Sequence, residues 1–406
     1  MPARRQFPLA AAAGRWQALR MELRDDIRRS RGPAAAFAAV GLYWGSFAAL
    51  APQLKAQTGL SDAGFGLALL VGALGAVAAM WLAPRAEARL GRHAMPVLAL
   101  LLAAAFLLPG LTTGGVAFAL AMLAASGASG TLDVVMNARV SQIEAAENRP
   151  LMNLNHAIFS FAYAAAALLA GLGREAGLAP ATLFALAGVV TLGLTRVTYS
   201  APEIHDGTTA DPGEVEPAPL PPLVLMLGGA IVLIAFMSEQ ATEGWSALHL
   251  ERNLAAGAAQ GALGPAVLGL TMGIGRLSGQ LLMRHLSEGR VMGLASALAA
   301  LGALIAAWSP ALAPAYLGFA ILGLGVSVVA PMAFGWIGRQ VAHRHRMHAI
   351  SRVSVIGYSG FFIGPPMMGF VAQGFGLPMA FTAIALCLLS VPVLLVPALR
   401  RSAAPG

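Results

Sequence analysis

The chain has 406 residues, of which 58% are hydrophobic and only 11% charged, with a formal net charge of +8. A soluble domain carries about 25% charge, so a soluble enzyme or binding module is excluded and a polytopic α-helical membrane protein is left. The alternating ten-residue segments of a transmembrane β-barrel are absent, and one cysteine, Cys387, can form neither an internal disulfide nor a thiolate metal cluster.

The basic residues gather at helix ends and in the first 31 positions, so the charge reports membrane topology and not nucleic acid. Residues 1–32 do not read as a signal peptide, because the apolar run Leu9–Ala13 is short and charges follow it. Trp16, Leu19, Leu23 and Ile27 form an apolar stripe among Arg15, Arg20, Arg24 and Arg28. This basic cytoplasmic tail is either an interfacial helix on an anionic membrane surface or an unfolded segment.

From Pro33 the sequence predicts twelve apolar spans, at 33–53, 62–83, 94–111, 114–138, 151–173, 178–198, 222–249, 259–283, 291–308, 311–336, 351–373 and 377–399. An even number puts both termini on one side. All basic residues except Lys55, Arg174 and Arg252 then fall on that side, so the positive-inside rule makes it the cytoplasm of a bacterial inner membrane. Residues 199–221, rich in Pro, Gly and acid, read as a linker between bundles at 33–198 and 222–400, with 401–406 a short cytoplasmic tail.

A repeat supports that division. An offset of 198 residues aligns Gly59, Gly66, Gly75, Gly91-Arg92 and Gly171 with Gly257, Gly264, Gly273, Gly289-Arg290 and Gly369. Two duplicated six-helix halves are the expected plan of a secondary transporter.

Two polar stripes interrupt the apolar pattern between residues 126 and 163. Ser126, Ser129, Asp133 and Asn137 share one face of the fourth span, and Asn153, His156, Ser160 and Tyr163 share one face of the fifth. A carboxylate at the centre of a membrane helix costs about 2.5–3.5 kcal/mol, so Asp133 is expected to face protein or water. His156 lies at a similar depth and suits a proton relay, since an imidazole ordinarily titrates near neutrality. A gate sealing the inner side is the competing role, and a polar network that only joins helices is the plain one.

In the seventh span Glu239, Thr242, Ser246 and His249 share a face, with Glu243 beside it. Counting back from His249, Glu239 lies roughly 15 Å deep and Glu243 roughly 9 Å. Desolvation there disfavours the charged form, which suits a carboxylate that exchanges a proton when a cavity opens.

The chain resembles the major facilitator superfamily over its full length, and within it bacterial permeases distantly related to fucose-type sugar–proton symporters. The residues that carry the resemblance are L-D-V-V-M-N at 132–137, N-H-A-I-F-S at 155–160, G-W-S-A-L-H-L at 244–250 and G-I-G-R-L-S-G at 273–279. S-R-V-S-V-I-G-Y-S-G-F-F-I-G-P-P at 351–366 is the most specific. The superfamily's loop signature after the second span survives in part as Arg89-Leu90-Gly91-Arg92, with Ala88 where an aspartate is usual and Glu87 adjacent. In the seventh span Glu239 matches the group's pattern, whereas Gly244 replaces its second acid and Glu243 stands next to it. The fifth span lacks the Gly-Pro content usual in the superfamily's antiporters, which tilts the resemblance towards symport. Gly364-Pro365-Pro366 is expected to bend the eleventh span.

The expectation is therefore a secondary active transporter with proton-coupled symport of a small polar, sugar-like solute. Proton-driven efflux of amphipathic compounds is the alternative, and a receptor or channel a weaker one. Asp133, His156, Glu239 and Glu243 are the candidate coupling or gating residues. Tyr43, Trp44, Phe47, Asn137, Asn153, Ser160, Tyr163, Thr242, Trp245, Ser246, Trp336 and Tyr358 are candidates for the cavity wall. Phe47 and Trp245 occupy equivalent places at the 198 offset, as opposing walls would. No nucleotide loop, nucleophile motif or zinc pattern appears, and His343, His345 and His348 read as part of a basic loop. No cofactor or metal is expected; the partners are the solute, the proton and membrane lipid, with no nucleic acid, and the chain is expected to act as a monomer.

Overall fold

A computed structural model describes residues 21–199, 220–282, 286–341 and 345–402. Every regular element among them is helical, as lipid requires of segments whose backbone groups must bond within the segment. The first half comprises α1 (Arg31–Thr58), α2 (Asp62–Leu90), α3 (Ala94–Leu111), α4 (Gly115–Glu147), α5 (Met152–Glu175) and α6 (Pro180–Tyr199). The second comprises α7 (Pro222–Asn253), α8 (Ala258–Leu282), α9 (Glu288–Trp308), α10 (Leu312–Arg339), α11 (Arg346–Tyr358), α12 (Gly360–Phe375), α13 (Leu377–Ser390) and α14 (Val396–Ser402).

All twelve expected spans fall on helix, and ten segments among the described residues are long and apolar enough to cross a membrane. One of the ten, Asp62–Leu111, covers the second and third expected spans, while Ala258–Leu282 lies outside them. Leucines and valines such as Leu120, Val189, Leu294 and Leu386 are exposed on the outside, where lipid would meet them. The eleventh span is interrupted, at Ser359 between α11 and α12, six residues before Pro365.

Helix pairing in the second half repeats the first. α1 packs on α5, α2 on α4 and α3 on α6; correspondingly α7 packs on α11 and α12, α8 on α10 and α9 on α13. Gly41 and Gly45, one turn apart on α1, let α5 approach so closely that a Cβ at either would collide with the carbonyls of Phe159 or Tyr163. Between the halves, α5 packs on α8 and α2 on α12. These crossings are equivalent under the duplication, and each carries the matching glycine. A Cβ at Gly171 would strike Ala262, and one at Gly369 would lie 2.5 Å from the Asp62 carbonyl oxygen.

The end of the molecule that carries the chain termini is hereafter the terminal end, and the opposite one the far end. The basic-tail reading falls mostly on residues 1–20, outside the described residues. Residues 21–29 are helical, and Leu23 and Ile27 of the expected stripe are exposed. Arg149 reaches Asp26 at 2.7 Å and Arg29 reaches Glu147 at 2.5 Å, which ties this segment to the α4–α5 turn. The linker reading, 199–221, falls mostly on residues 200–219, also outside the described residues.

Candidate functional site

A cavity of about 330 Å³ lies between the halves, lined from α1, α2, α4, α5, α7, α8, α11 and α12. Six of the aligned polar positions reach it: Ser126, Ser129 and Asp133 from α4, His156 from α5, and Glu239 and Glu243 from α7. Of the expected aromatic walls, Trp44, Phe47 and Tyr358 line it. The Trp44 indole N–H donates to Ser129 Oγ at 2.9 Å, which fixes that ring across the helix pair α1–α4. Phe236, Tyr358 and Phe361 form a stacked wall opposite, with ring centroids 5.0–5.8 Å apart.

The residue that organises the polar part escaped the sequence reading. Arg276 of α8 donates from Nη2 to Glu239 Oε1 at 2.9 Å and from Nη1 to Ser160 Oγ at 2.5 Å, with the His156 carbonyl oxygen at 3.3 Å. One guanidinium thus joins α7 of the second half to α5 of the first, across the cavity. Its side chain is 13% exposed and that of Glu239 17%, so the pair is largely desolvated but reachable from the cavity.

The other two acids have no ion pair among the described residues. Asp133 Oδ1 accepts from Asn137 Nδ2 at 3.1 Å, a partner one turn along its own helix. Glu243 is 8% exposed, and its Oε2 accepts from Gln240 Nε2 at 3.2 Å. His156 does not touch Asp133 through a hydrogen bond; its ring meets Phe37 edge-on at 4.9 Å.

Several candidates lie elsewhere. Tyr43 is fully buried against Phe106, at 5.0 Å, within the first half. Trp245 is fully buried edge-on to Phe65 of α2, at 5.7 Å, so it does not oppose Phe47 across the cavity. Thr242 donates to the Ser238 carbonyl of its own helix, and Ser246 is fully buried beside Gly264 of α8. His249 lies against Phe381 with Nε2 3.0 Å from the Ala306 carbonyl oxygen. Tyr163, 1% exposed, packs on Gly269 of α8; Asn153 sits in the first turn of α5, and Trp336 is half-buried on α10. Asn137, Asn153, Ser160, Tyr163 and Trp336 are not among the residues that line the cavity.

At the loop motif, Arg89 is exposed, Gly91 takes a positive φ of 51°, and Arg92 stacks over Tyr199 at 5.4 Å. Glu87 makes the ion pair that Ala88 cannot, reaching Arg139 of α4 at 3.1 Å. The corresponding ends in the second half are joined by Glu288 and Arg339. His343 lies outside the described residues, and no group of three or more His, Cys, Asp or Glu among the described residues could hold a metal ion.

The far end is shut. Arg252 clamps Asp62 with two bonds of 2.6 and 2.9 Å, and Lys55 adds a third contact at 3.1 Å. Arg174 holds Glu251 with bonds of 2.7 and 3.0 Å, and Gln373 Oε1 accepts from the Ala63 N–H at 3.0 Å. The three cations that the sequence places apart from all others are the three cations of this latch. Among the described residues, α4 makes no more than marginal contact with α10 or α11.

The family model described as Major Facilitator Superfamily matches residues 34–317 and 230–405. The chain belongs to the major facilitator superfamily. It is 32% identical over 364 residues to an uncharacterised MFS-type transporter of Yersinia pestis, covering 88% of this chain and 92% of the relative. It is 26% identical to the membrane protein MosC of Rhizobium meliloti, covering 85% and 84%. In fold it is similar to a bacterial homologue of the lysosomal transporter Spinster in an inward-facing conformation (TM-score 0.70, 14% identity, 92% and 97% covered). It is also similar to a D-xylose–proton symporter (TM-score 0.67, 13% identity, 90% and 96% covered). This superfamily member is therefore a multi-pass membrane transporter of bacterial type and not an enzyme.

Proposed function

We propose that the protein is a proton-coupled secondary transporter of the bacterial inner membrane, with both termini in the cytoplasm, that moves a small ring-bearing polar solute by alternating access. The moving bodies are residues 33–198 and 222–400, and one chain suffices because both walls of the cavity belong to it. The observation that carries the reading is the Arg276 bridge between Glu239 and Ser160. A charge pair in so dry a site is stable only while both partners are ionised. A proton on Glu239 cancels that carboxylate's charge and releases Arg276, which loosens α7 from α5 and lets the halves rock. Asp133, nearer the terminal end and held by an amide alone, is the site from which that proton leaves. The sugar–proton pairing of the similarly folded D-xylose symporter supports sugars as the first solutes to assay.

The test is a screen in proteoliposomes, comparing gradient-driven accumulation with equilibrium exchange for Asp133→Asn and Glu239→Gln. Accumulation lost with exchange retained is the expected result. Accumulation that ignores the pH gradient in the unmodified protein overturns the coupling. The second reading, export of amphipathic compounds, is favoured by the apolar share of the wall from Phe37, Met80, Phe159 and Phe362. It predicts solute movement opposite to proton entry in the same assay.

A further inference from the structure

We propose that the transported solute carries a protonated amine, that Glu243 is the carboxylate that holds it, and that the stacked wall of Phe236, Tyr358 and Phe361 covers its apolar body. This deepens the transporter reading and rests on it. The argument begins with charge. The cavity lining presents three carboxylates, Asp133, Glu239 and Glu243, against a single guanidinium, Arg276. Arg276 is committed to Glu239 at 2.9 Å. Among the described residues no other lysine or arginine lines the space, and α1, α2 and α12 contribute no charged group to it.

Glu243 is therefore a carboxylate more than nine-tenths buried, facing a cavity, with only the Gln240 amide on one of its oxygens. Among the described residues its other oxygen has no donor. Tyr163 of α5 is 1% exposed, and its hydroxyl has no partner among the described residues. The remaining titratable groups on the wall are His156 from α5 and Tyr358 from α11. A buried carboxylate without a counter-charge is costly, and two things relieve it: a proton or a cation. The stacked rings of Phe236, Tyr358 and Phe361 line the same cavity and favour the second, because the faces of Phe and Tyr attract ammonium groups. Asp133 has the same kind of amide partner on its own helix but is only half-buried, whereas Glu243 is 8% exposed, which makes Asp133 the weaker candidate.

One consequence is specific. An amine and a proton compete for Glu243, so amine binding weakens as pH falls, whereas a neutral solute held by hydrogen bonds gives no such competition there.

The experiment measures equilibrium binding to the full-length protein in nanodiscs, using matched probes: phenethylamine, 2-phenylethanol and phenylacetate, then glucosamine and glucose. The expected result is that each amine binds at least about tenfold more tightly than its neutral partner. Its apparent Kd rises as pH falls, and Glu243→Gln removes the preference while Glu243→Asp keeps it. Equal binding of amine and neutral probes, including none by either, overturns the proposal, as does a preference that survives Glu243→Gln. If Glu243→Gln fails to fold, the pH competition in the unmodified protein decides alone. The two readings fail separately: a neutral solute that binds and drives proton movement sinks the amine and keeps coupled transport. Amines that bind through Glu243 without any response to a pH gradient keep the amine and sink the coupling.

Discussion

Arg276 shows how far a single charged residue in an apolar helix can be interpreted. Replacing it with Gln leaves Glu239 largely desolvated and without its cation. Breaking a fully buried pair costs about 3–5 kcal/mol, and discounting for the cavity that both side chains touch gives about 1–3 kcal/mol here. Thermal unfolding in detergent is expected to show that loss for Arg276→Gln, and most of it recovered in the double variant Glu239→Gln/Arg276→Gln. Transport stays at least tenfold down in both. A double variant no more stable than the single one would mean that the pair does not hold the helices. Glu239 and Asp133 were legible in the sequence because a carboxylate inside an apolar span needs a reason to be there. Arg276 carried the same signal, about 9 Å in from the end of α8, but arginines had already been read as topology markers.

At the scale of elements, the helices were legible and their facing only partly so. A helix that is apolar all round gives no hydrophobic periodicity to say which side meets lipid and which meets protein. The stripe Glu239, Thr242, Ser246 and His249 has helical spacing, yet only Glu239 of the four lines the cavity, with Glu243 beside it, while the other three are buried. The repeat was more informative, because its glycines mark where helices cross. Gly369→Val is expected to push α12 off α2, since its Cβ would meet the Asp62 backbone with no flexible atom to yield. The far end then opens, and a cysteine placed at Ala63 becomes reactive to a membrane-impermeant reagent from that side. Asp62→Asn acts in the same direction more weakly, since it removes charge from a latch made by Lys55 and Arg252. Unchanged reactivity in both variants would mean that closure of this end lies elsewhere.

At the scale of the whole molecule, the three basic residues that the sequence sets apart from the rest are the ones that close the far end. If the terminal end is cytoplasmic, a cysteine at position 205, in a background lacking Cys387, is labelled only from inside the cell. Labelling from outside would invert every assignment of side. Alternation itself makes a stronger demand. The far end is held by ion pairs, two glycine crossings and the Ala63–Gln373 bond. A transporter that works by rocking must break all of these contacts once in each cycle, whereas a channel with a fixed constriction need break none. Ala63→Cys with Gln373→Cys, on α2 and α12, is therefore expected to form a disulfide that stops turnover. Solute binding survives, because neither position belongs to the cavity lining. Adding a reductant restores transport, which separates a locked molecule from a misfolded one. Each single cysteine should transport normally, so that the crosslink alone carries the effect. Full transport by the crosslinked protein would mean that the far end does not need to open and that alternating access is the wrong description of this chain.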